Sequence, residues 1–119
     1  MLKDNNYSDQ VADILGAVET KPKATRKPWT REELKASVLV YLDMYKKEKQ
    51  GESFSKKPYY VALSNKFGRS ASSFEYRMQN ISHVFTLLGR DYVSGLKPAS
   101  NVGKNMIADI KSIINECEA

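Results

Sequence analysis

The chain has one cysteine, Cys117, so neither an internal disulfide nor a cysteine zinc cluster can form. Glu116 and Glu118 flank that cysteine and oppose a thiolate. His83 is the lone histidine, which excludes a histidine-based metal centre. No glycine loop of the phosphate-cradling type is present. Carboxylates are scarce between residues 53 and 104, where Glu75 and Asp91 are the only two, fewer than a two-metal nuclease uses. These absences argue against an enzyme and predict no metal and no cofactor. No apolar run approaches the roughly 18 residues of a membrane span, and Met1 to Asn6 offers no apolar core of a secretory signal. The expectation is a cytoplasmic protein without a membrane partner.

Positive charge is in excess, and it is unevenly placed. The net charge is +5, but residues 1–20 are net −3, whereas residues 21–31 carry five basic side chains and no acidic one. Residues 53–104 hold eight basic and two acidic side chains, net +6. A cationic tract and a cationic half suit a polyanion-binding surface.

The 119 residues fit one domain with one core, and the periodicities are helical. A first amphipathic helix is predicted from Ser8 to about Thr20, with Val11, Ile14, Leu15 and Val18 on one side. It docks on the domain, docks on a second subunit, or frays. Thr20 to Pro28 is a linker with two prolines and only basic charge, either a solubilising tether or an arm that meets phosphates. Thr30 then caps a second helix. Glu33 completes a capping box, Trp29 is placed to staple onto Leu34, and Gly51 stops the helix after about Gln50. Lys46, Lys47 and Lys49 read as its solvated end. A last helix capped by Ser100 or Asn101 carries Met106, Ile107, Ile110, Ile113 and Ile114. Five helices and no strand ladder predict an all-α fold, a compact bundle of about five helices.

Between the second and last helices lies a helix–turn–helix pattern. A short helix is predicted from Pro58 to Phe67, since proline is tolerated at a first helical position. Gly68 suits its C-terminus. Ser70 or Ser72 caps the next helix, and Ser72 with Glu75 has capping-box spacing. In that fourth helix, about Ser70 to Leu88, the residues Phe74, Met78, Ile81, Phe85 and Leu88 make one narrow apolar stripe. Ser72, Tyr76, Gln79, Asn80 and His83 fall on the opposite face, with Arg69 in the turn and Arg77 on the flank. Guanidinium and amide side chains of this kind pair with guanine and adenine edges in a major groove.

Trp29-Thr30-Arg31-Glu32-Glu33-Leu34, then Gly68-Arg69-Ser70, Glu75, Asn80-Ile81-Ser82 and Gly95-Leu96-Lys97-Pro98, in this order, resemble a small helical domain. It is similar to the N-terminal region of bacterial HNH endonucleases and related restriction-type proteins, some modification-dependent. The resemblance covers about Trp29 to Asn115. It implies a domain that brings a nuclease to DNA without cutting it; this chain carries no nuclease part.

Together these readings give an N-terminal helix and basic linker over residues 1–28 and a helical DNA-binding domain over 29–119. The expected base-reading set is Arg69, Ser72, Tyr76, Gln79, Asn80 and His83. The expected phosphate set is Lys23, Arg26, Lys27, Lys56, Lys57, Lys66, Arg77, Lys97 and Lys104. Duplex DNA is the expected partner, ahead of RNA, whose bases would stack on Tyr59, Tyr60, Tyr76 or Tyr92. A homodimer or a nuclease partner is also compatible. The alternative is an adaptor that docks or dimerises through the first and last helices and touches no nucleic acid.

Overall fold

A computed structural model describes residues 7–16 and 28–119. Among the described residues the fold is an all-α bundle of five helices without strands: α1 Tyr7–Leu15, α2 Arg31–Lys49, α3 Lys57–Phe67, α4 Ala71–Leu87 and α5 Lys104–Glu118. The expected continuation of the first helix to Thr20, with Val18, falls outside the described residues, as does most of the basic linker.

The helix α2 is the hub, in contact with each of the other four. Its start follows the sequence closely. The Thr30 side chain accepts from the Glu33 backbone, and the Glu33 carboxylate accepts from the Thr30 N–H at 2.9 Å, closing a capping box. The helical spacing of Leu34, Val38, Tyr41, Leu42 and Tyr45 predicts one apolar stripe; Tyr45 is only half-buried, and the helix also buries Ala36, Leu39, Val40 and Met44. A helix covered on every side needs apolar residues all round. Ser37 is tolerated there because its hydroxyl donates to the Glu33 carbonyl at 2.9 Å.

The other helices pack around this axis. Val11 and Ile14 bring α1 into the same core as α2 and α3. The stripe of α4 is buried at Phe74, Met78, Ile81 and Phe85, each contributing about 1.5–3 kcal/mol. Leu88 is not part of it: the helix ends at Leu87, and Leu88 faces solvent. Ile110, Ile113 and Ile114 seat α5, with Met106 and Ile107 partly buried. Gly103, not Ser100 or Asn101, is the residue at its N-terminal cap.

The connection between α4 and α5 is pinned from inside. The buried Tyr41 hydroxyl accepts from the Val93 N–H at 3.0 Å and shares a hydrogen bond with Ser82 at 2.8 Å. Burial pushes this phenol up to about 12. One α2 side chain thereby fixes both α4 and the segment that follows it.

Candidate nucleic-acid interface

The turn between α3 and α4 is three residues long. Gly68 ends α3 in the left-handed region at φ 81°, which a β-carbon would strain, and its N–H donates to the Ser64 carbonyl at 2.8 Å. Ser70 caps α4 by accepting from the Ser73 N–H. The Ser72–Glu75 box does not form; Ser72 meets the Ser70 hydroxyl instead, at 3.2 Å. With Ser70, two residues earlier, as the cap, Ser72 already lies inside the helix.

Arg69 does not face outward from this turn. Its guanidinium is buried against α2, donating to both Glu33 oxygens at 2.8 and 3.1 Å and to the Pro28 carbonyl at 2.8 Å. It also stacks over the Trp29 ring, 4.4 Å from the centroid. Trp29 in turn meets the edge of Phe74 at 5.1 Å, so the indole ties the start of α2 to α4. Burial alone would raise the Glu33 carboxyl. The hydrogen bonds from Arg69 and Thr30 and the Arg69 charge outweigh it and hold that carboxyl below the usual glutamate range. The expected base reader is thus one half of an internal ion pair.

The outward face of α4 is also partly covered. Asn80, expected at the bases, is fully buried: its amide donates to the Ala99 carbonyl at 2.9 Å and accepts from Arg77 Nη1 at 2.7 Å. The Ala99 N–H donates to the Gln79 carbonyl at 3.0 Å, and the Tyr76 hydroxyl donates to Asn101. Residues 99–101 therefore run along the helix over Tyr76, Gln79 and Asn80. Of the base-reading set, Ser72 and Tyr76 remain exposed and Gln79 and His83 half-buried, while Arg69 and Asn80 are withdrawn into the fold. Among the tyrosines suggested for stacking, Tyr59 and Tyr60 are buried; Tyr76 and Tyr92 are exposed.

The cations divide more sharply. Arg31 and Lys35 pair with Glu116, Lys47 with Asp43, Lys49 with Asp91, Arg69 with Glu33, and Arg90 with Glu118. Lys47 and Lys49 are thus not merely a solvated helix end. Among the described residues, Lys56, Lys57, Lys66, Arg77, Lys97 and Lys104 form no ion pair with a carboxylate. Those six are all of the expected phosphate set that falls there. Lys23, Arg26 and Lys27 lie outside the described residues.

Lys56 reaches across the chain to the turn that precedes Lys97. Lys56 lies over the Phe54 ring, with its ammonium 3.1 Å from where a β-carbon on Gly95 would stand. Gly95, at φ 85°, lets the ammonium approach the turn that leads to Lys97. Lys57 follows Lys56 at the start of α3, whose N-terminus has no side-chain cap. The macrodipole adds to the same positive region.

Among the described residues, no three His, Cys, Asp or Glu side chains gather to hold a metal ion, and no helix is long and apolar enough to cross a membrane. Burial pushes the Cys117 thiol up. No family model, curated protein or solved structure matches this chain.

Proposed function

We propose that this protein is a non-catalytic domain that binds duplex DNA through its phosphates. Lys56, Lys57, Lys66, Arg77, Lys97 and Lys104 hold the backbone, and α4 offers Ser72, Tyr76, Gln79 and His83 to the bases. The observation that carries the reading is the division of the cations. Arg31, Lys35, Lys47, Lys49, Arg69 and Arg90 are paired with carboxylates of the fold, whereas these six, like Lys111 on α5, carry no such pair. The resemblance to the N-terminal region of HNH endonucleases extends the reading to a targeting module for a restriction-type nuclease.

An electrophoretic titration on random duplex DNA at several salt concentrations tests it. Contact with four to six phosphates gives a log–log salt slope of about −4 to −5, from about −0.9 per phosphate. Absence of a shift at low salt, or tight binding with a flat slope, defeats the proposal.

A second reading has its own observation. Leu15 at the end of α1 and Pro58, Val61 and Ala62 on α3 line an open apolar groove, and Leu15 and Val61 are both exposed. An adaptor that docks a protein there shows no DNA shift and loses its partner when Val61 becomes Asp.

A further inference from the structure

Arg77 is the one arginine among the six, and it is half-buried. Its guanidinium lies over Trp29, 4.5 Å from the ring centroid, and Nη1 is taken by the Asn80 carbonyl oxygen. Its Nε is sealed from solvent without a hydrogen-bond partner. The carboxylates that might neutralise it do not. Glu33 is committed to Arg69 and Thr30, and Glu75, exposed on the same helix, pairs with neither arginine. Burial, with the Arg69 charge as a lesser cause, lowers its proton affinity below that of a free guanidinium.

A half-buried charge without a counterion is unfavourable. A flexible side chain would ordinarily escape that cost by swinging into water. Arg77 is instead held against the indole by the ring and by Asn80, whose own amide is anchored on Ala99. Nη2 is the nitrogen left for a ligand. Guanidinium donors fixed in a plane favour phosphate oxygens, and the other five unpaired cations favour a polyanion over a lone carboxylate.

We propose that Arg77 is a built-in phosphate seat, its guanidinium set on Trp29 and held by Asn80 so that Nη2 meets a phosphate oxygen. The proposal rests on the DNA-binding reading. It differs from that reading in making one phosphate contact rigid and half-buried while the lysines remain mobile.

The test follows the Arg77 Nε–H by nuclear magnetic resonance in isotope-labelled protein. A sealed N–H exchanges slowly and gives its own cross-peak, assigned by its loss in Arg77→Lys. A short DNA duplex and, separately, pyrophosphate are titrated in. The expected result is a saturable shift of that cross-peak with duplex. Arg77→Gln should lower the salt slope by about 0.9, the share of one phosphate, while Arg77→Lys keeps it. If duplex binds while the cross-peak stays still and Arg77→Gln keeps the full slope, the seat is overturned and the DNA reading stands. If no duplex binds, the DNA reading falls and pyrophosphate decides. A saturable shift keeps the seat as a site for free phosphates; none overturns it too. Should Arg77→Gln fail to fold by circular dichroism, the wild-type cross-peak decides alone.

Discussion

Arg69 and Arg77 stack on the same indole, at 4.4 and 4.5 Å, and end in opposite electrostatic states. Arg69 reaches back across the bundle to a carboxylate that the α2 capping box already holds in place. Arg77 finds an amide, which takes a hydrogen bond without cancelling the charge. The first arrangement binds the helix turn to the hub; the second leaves a fixed positive charge. Identical side chains on one ring can thus serve stability or binding, depending on whether the fold supplies a counterion.

The largest expected effect breaks the first arrangement. Glu33→Gln takes the carboxylate from the buried Arg69 guanidinium, so it should cost about 3–5 kcal/mol in chemical denaturation. Arg77→Gln removes a charge that has no partner and should cost far less. Equal losses would erase the distinction between the two arginines. Acid sharpens the same contrast. The Glu33 carboxyl is held below its ordinary value of 4.5, so the pair contributes fully above that pH. Its contribution is lost as pH falls through the lower folded value. Stability measured below about pH 4.5 should therefore fall more steeply in wild type than in Glu33→Gln, where this group no longer titrates.

The next effect concerns Asn80, where sequence and structure part. A helical wheel separates residues only by their angle from the apolar stripe, and it placed Phe74, Met78, Ile81 and Phe85 correctly. It treats everything opposite as solvated. Asn80 is buried because a non-periodic connection, residues 99–101, returns to cover it, and no local pattern announces that return. Arg69 departs from its expected place for a related reason. The Thr30–Glu33 box is legible within four residues, but Glu33 also serves an arginine 36 positions away. The cap at Thr30 and the turn at Gly68 follow from local chemistry, so they are readable. Asn80→Ala, expected from the wheel to be silent, should instead cost about 1–3 kcal/mol by leaving the Ala99 carbonyl and Arg77 Nη1 without partners. Gln79→Ala should cost much less, because Ala99 bonds to the Gln79 backbone and not to its side chain. Thermal or denaturant melting of the two variants side by side checks it.

The smallest expected effect asks whether placement or mere quantity of charge matters. Arg90 is paired through two hydrogen bonds with Glu118, at 2.9 and 3.0 Å, and lies over Phe85 at 4.4 Å from the ring centroid. Glu118→Ala raises the net charge by one, the same magnitude by which Lys97→Ala lowers it. The exposed pair should contribute less than about 1 kcal/mol, so the fold should survive its loss. Arg90, freed from Glu118, loses its counterion but keeps its seat on Phe85 and Tyr45, outside the proposed phosphate set. If DNA is held by placed cations, Lys97→Ala should reduce the salt slope by nearly one phosphate's share, about 0.9. Glu118→Ala should leave that slope unchanged, with only a slight gain in affinity at low salt that vanishes once screening sets in. Matched and opposite changes in the two variants would mean that DNA responds to the total charge of the molecule. The division between paired and unpaired cations would then describe the fold and not its partner.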